Sequence, residues 1–144
     1  MKIFQVILLA LFVGFTACKV APKPIVYGVD GCHFCSMTIV DTQHATQIVT
    51  KKGRAYKFDA AECMMHYLKT IDRSEVALFL TNSYYLPGEL IDATKATYLI
   101  SSDIPSPMGE FLTAFDSAQS AAMAASYQGK IYTWEELQLH FEKE

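Results

Sequence analysis

The first seventeen residues constrain what this chain can fold into more than any other stretch. Met1-Lys2 opens onto a run from Ile3 to Phe15 that is apolar apart from Gln5 and Gly14, and the small pair Thr16-Ala17 follows. A membrane-spanning helix needs about 20 apolar residues, and this run falls short of that. A basic start, a short apolar stretch and a small-residue end are the parts of a cleavable export signal. Residues 1–17 are therefore read as a signal peptide, which leaves a body starting at Cys18 for one compact domain. With 144 residues in all, the chain has no room for a multidomain enzyme. Its 51% hydrophobic and 19% charged residues are far from the composition of disordered chains, so the body is expected to fold. A net charge of -3, with only the short basic clusters Lys19 with Lys23 and Lys51 to Arg54, offers no field for a phosphate backbone. Nucleic acid is not expected as a partner.

Cys18 directly follows the small pair, at the position that a bacterial lipoprotein signal acylates, although Phe15 stands where leucine is usual. The expectation is a lipidated Cys18, a tether over residues 18–28 carrying Lys19, Pro22, Lys23 and Pro24, and a domain over residues 29–144. Such a protein resides in the bacterial cell envelope, anchored by lipid at the periplasmic face of a membrane. Export also places the thiols where idle pairs oxidise. Three cysteines remain, Cys32, Cys35 and Cys63, and an odd number leaves at least one thiol in need of a task. A Cys32–Cys35 bridge would close a very small loop and stabilise little, so a disulfide framework explains them poorly.

The body reads as α+β. Ala45 to Thr50 and Arg54 to Phe58 flank Lys51-Lys52-Gly53 as a β-hairpin. Asp59, three residues before Glu62, has the spacing of a capping box for a helix from Ala60 to Thr70. Strands are expected at Val76–Thr81 and Thr97–Ser101, a loop at Ser106-Pro107-Met108-Gly109, a helix over Asp116–Tyr127, a strand at Lys130–Thr133 and a closing helix over Trp134–Glu142. Gly53 to Ala60 can be laid on Gly129 to Glu136, as in an internal duplication, and the same offset sets Cys32 opposite Met108.

Thiol and thioether concentrate in three places: Cys32-His33-Phe34-Cys35-Ser36-Met37, Cys63-Met64-Met65-His66, and Pro107-Met108-Gly109. Soft sulfur ligands select soft metals, and thiolate with thioether in an exported chain points first to Cu(I). Zinc recruits cysteine and histidine more often than methionine. Haem c attachment needs histidine directly after the second cysteine, where Ser36 stands. A thioredoxin-like dithiol wants its first cysteine at a helix N-terminus, whereas this pair runs into Met37-Thr38-Ile39-Val40, which reads as a strand. Cys63 falls in the first turn of its helix, where the dipole helps hold a thiolate. Met65 and Tyr67 read as core packing, and His44 and His140 as surface or satisfied histidines; His33 and His66, each within three residues of a cysteine, stay open as ligands. A thiol-disulfide oxidoreductase using Cys32 and Cys35, and a structural zinc module, are the rival readings. No nucleophile-base-orienter set, phosphate loop or paired carboxylates form a recognisable motif, so no enzyme is expected.

These residues carry a family resemblance. Asp30-Gly-Cys-His-Phe-Cys-Ser-Met-Thr-Ile-Val-Asp41 is similar to the Asp-x-Cys-x-x-Cys-Gly-Met-x-Ile-x-Asp signature of the NosL family, copper-binding accessory lipoproteins of nitrous-oxide reductase assembly. Phe58-Asp59, Glu62-Cys63-Met64 and Tyr67-Leu68 resemble its Phe-Asp-Asp-x-x-Cys-Met-x-x-Tyr-Leu segment. Ile91-Asp92-Ala93 with Ala96-Thr97-Tyr98, and Ser106-Pro107-Met108-Gly109, resemble two further segments in order. Ser36 departs from a family glycine and Leu90 from a family tryptophan. The resemblance implies a small α+β domain of two similar β/α halves. It further implies a monomeric Cu(I) metallochaperone that delivers the ion to nitrous-oxide reductase, or another exported copper protein, through a membrane transporter complex. Sulfur dominates the ligands of the family. Here Cys32, Cys35 and Met108 are the first candidates, with Met37, Cys63 and Met64 behind them, in a partly open site of two or three ligands from which a partner can take the ion.

Overall fold

The computed structural model describes residues 19–124 and 126–143. The signal peptide and Cys18, where acylation is expected, lie outside the described residues. Strands β1 (Thr46–Thr50) and β2 (Ala55–Phe58) form the expected hairpin, with Gly53 at φ +79 donating its N–H to the Thr50 carbonyl at 2.8 Å. β1 also pairs antiparallel with β3 (Val76–Ser83), which pairs with β4 (Leu86–Asp92), giving the sheet order β2-β1-β3-β4. Between β2 and β3 lies helix α1 (Ala61–Leu68), buried on most of its circumference. The second sheet has the order β6-β5-β7, built from β5 (Thr97–Ile100), β6 (Leu112–Phe115) and β7 (Lys130–Tyr132), all antiparallel. Helix α2 (Ser117–Ala124) lies between β6 and β7, and α3 (Trp134–Glu142) follows β7.

Each half therefore runs strand, strand, helix, strand, and in each the first strand is central. That is the α+β arrangement of two similar halves. The duplication suggested by Gly53–Ala60 and Gly129–Glu136 is corrected by the same topology. It lays β2, a second strand, on β7, a third strand, so the pairing of Cys32 with Met108 that rested on it falls too.

The halves share one core. Ile48, Phe58, Met64, Met65 and Leu68 of the first pack with Tyr98, Leu112, Trp134, Leu137 and Phe141 of the second. At the seam the Tyr84 N–H donates to the Ala114 carbonyl at 2.9 Å. Buried His44 bridges it as well, with Nδ1 at 3.0 Å from Asp41 Oδ2 and Nε2 at 3.2 Å from Thr113 Oγ1, a satisfied histidine. The N-terminal segment is docked from Lys23 onward: its N–H donates to Oε1 of buried Gln47, and Gln47 Nε2 donates to its carbonyl, each at 2.8 Å. No helix among the described residues is long and apolar enough to cross a membrane.

Three local expectations are corrected. The Asp59 side chain does not cap α1: the N-cap is Ala60, with no side-chain hydrogen bond, and the helix ends at Leu68. The capping box occurs at α3, between Thr133 and Glu136. Met37 to Val40 is not a strand, since only Thr38 pairs, in a single bridge with Gly31. β4 and β6 have no counterpart among the strands expected from sequence.

Candidate metal centre

The segment that carries Cys32 and Cys35 is a tight loop stitched to the edge of β2. Its base is closed by Gly28 N–H to Ile39 C=O and Ile39 N–H to Asp30 C=O, each at 2.8 Å, and Lys57 Nζ of β2 reaches Asp30 Oδ2 at 2.6 Å. Within it, Cys32 N–H donates to the Met37 carbonyl at 2.7 Å and Ser36 N–H to the Cys32 carbonyl at 3.0 Å. Closing that turn forces Ser36 to φ +65, which accounts for a glycine there in the family pattern. His33 N–H donates to the Lys57 carbonyl at 2.8 Å, fixing the loop beside the strand that leads into α1. Cys63 then arrives from the first turn of that helix.

The outcome is a three-sulfur cluster in which the Sγ atoms of Cys32, Cys35 and Cys63 all lie within 4.8 Å of one another. A metal ion about 2.3 Å from three thiolates sets them roughly 4 Å apart, a spacing compatible with the 4.8 Å within which the trio lies. Cys32 and Cys63 are buried and Cys35 is half-buried, which leaves one side of the cluster open. The three are free thiols.

Charge is shared unequally among them. The Cys63 thiol donates a hydrogen bond that lowers the Cys32 pKa to about 5, helped against burial by the backbone N–H groups of Cys35, Asp59 and Phe34. Cys63 is pushed far upward, first by that same hydrogen bond and then by burial and the neighbouring thiolate charge. Burial is also the main cause that raises Cys35. The thiolate expected on Cys63 from its helix position thus sits on Cys32, where more donors converge. An ion bound by all three sulfurs displaces the protons of the other two thiols.

The remaining candidates are placed differently. Met37 is 44% exposed and takes part through its backbone carbonyl. Met64 is fully buried in the core, while Met108 is half-buried and packs against the core cluster that contains Cys32 and Cys63. Among the described residues, no histidine nitrogen or carboxylate oxygen joins the trio. His33 lies against Tyr56 and Tyr67, with ring centroids 4.5 and 5.0 Å away, and His66 Nε2 is 2.9 Å from Glu110 Oε1. Phe34 stacks on His66 at 5.7 Å. Sequence reasoning missed this aromatic surround, and it missed Glu62, whose Oε1 accepts from Ser106 Oγ and from Leu112 N–H. The Glu62 spacing had suggested a helix cap instead.

Three thiols gathered at the rim of the core of a small α+β domain form a site that could hold a soft metal ion. Comparison narrows this. The family model NosL matches residues 26–141, and the chain belongs to the NosL family. It is 31% identical over 117 residues, 75% of its length, to the copper-binding lipoprotein NosL of Stutzerimonas stutzeri, of which the match spans 62%. The crystal structure of the copper chaperone NosL from Shewanella denitrificans has the same fold, with a TM-score of 0.67 at 20% identity over 82% of this chain and 96% of that one.

Proposed function

We propose that this chain is a lipid-anchored, cell-envelope Cu(I) metallochaperone that hands its ion to nitrous-oxide reductase or another exported copper protein through a membrane transporter complex. The observation that carries the reading is the meeting of Cys63 with the Cys32–Cys35 pair: a dithiol enzyme needs two sulfurs, and a carrier of a soft ion gains from three. The names of the two relatives, copper-binding and copper chaperone, support the same cargo. Cu(I) accepts the two or three ligands on offer, whereas a structural zinc site needs a fourth. Met108, half-buried against the core cluster that contains Cys32 and Cys63, is the thioether candidate favoured to add to the trio; Met37 is exposed and Met64 is embedded in the core.

The test is competition between Cu(I) and Zn(II) for the reduced full chain in detergent, against a chromophoric chelator. One Cu(I) per chain, preferred over zinc and lost with Cys32→Ser, Cys35→Ser or Cys63→Ser, is the expected result. A zinc preference, or copper binding that survives loss of Cys32 and Cys35 together, overturns it. The low Cys32 pKa favours a second reading, a thiol-disulfide oxidoreductase. In that case Cys63→Ser leaves dithiol cycling intact and copper is bound weakly. Anchoring is tested by Cys18→Ser, which is expected to move the protein out of the membrane fraction.

A further inference from the structure

Two side chains of α1 that flank Cys63 hold the loop that carries Met108. The loop runs from Ser106 to Leu112, and both of its ends converge on one carboxylate: Ser106 Oγ donates to Glu62 Oε1, and Leu112 N–H donates to the same oxygen at 3.3 Å. Ser106 Oγ in turn accepts from Phe111 N–H at 2.9 Å, and Gly109 N–H closes the turn onto the Ser106 carbonyl at 3.0 Å. One helical turn further on, His66 Nε2 meets Glu110 Oε1 at 2.9 Å. The inner grip is buried, with Glu62 fully inaccessible, while the outer pair is partly exposed. A carboxylate in a core is costly to bury, and no partner is present for its Oε2 atom, so Glu62 is not there as packing. Its position fixes the loop to the residue directly before a thiol of the cluster.

We propose that Glu62 is a positioning residue for copper binding: it clamps the 106–112 loop to α1, so that Met108 is presented to the cysteine trio, and the partly exposed His66–Glu110 pair closes the outer end. The inference rests on the reading of Met108 as a copper ligand. Removing the clamp leaves the three thiols in place and loosens only the thioether. Supporting groups one step behind a ligand commonly change metal affinity by about tenfold or more. Because Glu62 acts through Met108, its effect vanishes once the thioether is gone.

The experiment is a double-mutant cycle on the reduced full chain, read as Cu(I) affinity by chelator competition. Ser106→Ala and Glu62→Ala are each made in the parent and in Met108→Ala, with Glu62→Gln as the conservative variant. The expected result is a loss of about tenfold for Met108→Ala and a similar loss for Ser106→Ala and Glu62→Ala in the parent. No further loss is expected in the Met108→Ala background, and near-parental affinity is expected for Glu62→Gln, whose Oε1 still accepts both bonds. Equal losses in both backgrounds, or no loss in the parent, overturn the role of Glu62 while leaving the copper reading standing. If Met108→Ala alone binds as the parent does, Met108 is not a ligand and the inference falls with it. Failure of the parent itself to bind Cu(I) is the separate failure of the proposed function. Should Glu62→Ala not fold, Ser106→Ala decides the same question from the loop side.

Discussion

At the scale of single residues, the cysteine loop carries a local cost that can be removed. Ser36 is held at φ +65, a conformation that costs a residue with a Cβ roughly 1–2 kcal/mol, part of which glycine gives back through its freer unfolded chain. Ser36→Gly is therefore expected to stabilise the protein by about 0.5–1 kcal/mol, read from the shift of a denaturant midpoint, with the thiol cluster unchanged. The thiols give a pH dependence of definite sign. Cys32 ionises near 5 in the folded chain against an ordinary value of 9.0, so between those values the unfolded state holds a proton that the folded state does not. Stability of the reduced, metal-free protein rises with pH through this window, by at most about 1.4 kcal/mol per unit, and this contribution is lost as pH falls through 5. Cys35 and Cys63 are shifted upward, so above their unfolded values stability falls again as pH rises. Stability measured by denaturation at pH 5, 7 and 9 is expected to peak toward the alkaline end of the window, and Cys32→Ser to flatten the acid limb. The sulfurs of this site were legible in the sequence because thiols are few and their chemistry is narrow. Which thiol carries the charge was not, because that depends first on the Cys63 thiol, and then on the N–H groups of Cys35, Asp59 and Phe34, converging on Cys32 in space.

Among the elements, α1 and α3 show how one sequence pattern serves two purposes. Both have an acceptor three residues before a glutamate, Asp59 with Glu62 and Thr133 with Glu136. Only the second pair forms a capping box, with Glu136 N–H donating to Thr133 Oγ1 at 3.3 Å and Thr133 N–H to Glu136 Oε2 at 2.8 Å. In the first, the glutamate is drawn inward to bind the 106–112 loop, and the helix starts uncapped against the core. Thr133→Ala is expected to cost about 1 kcal/mol in thermal or denaturant unfolding without altering metal binding, since no described His, Cys, Asp or Glu of α3 adds a ligand atom to the trio. The strands divide the same way. β3 was legible because the apolar run Val76–Leu80 buries it in mid-sheet, and β1 because the turn at Lys51-Lys52-Gly53 pairs it with β2. β4 was hidden by Pro87-Gly88, which reads as a turn and is tolerated because β4 is an edge strand with a register shift near Asn82 and Ser83. β6, of four residues, is too short to show a period of its own.

The molecule as a whole sets how far its cysteine trio can stand from whatever holds the N-terminus. Had the segment 18–28 been a free tether, the domain would range widely; instead Lys23 is fixed by two hydrogen bonds to buried Gln47 in β1. Four residues on, Tyr27 Oη donates to Asn82 Oδ1 at 3.0 Å, and Gly28 N–H is bonded to Ile39. If Cys18 carries the proposed lipid, about five residues, a reach of roughly 15–18 Å, would join it to the folded body, and the cysteine loop would be held close to the membrane with restricted orientation. Gln47→Leu keeps the volume of the buried side chain and removes both bonds to Lys23. The expected result by amide hydrogen exchange is a gain of at least about tenfold in the exchange rate at Lys23, corresponding to the loss of roughly one hydrogen bond's free energy, with the Gly28 amide still protected. Cu(I) affinity of the reduced chain is expected to stay at the parental value, because the trio is held by β2 and α1 rather than by this strap. Loss of protection at Gly28 as well, or a fall in copper affinity, would instead make the strap an integral part of the cysteine loop's support.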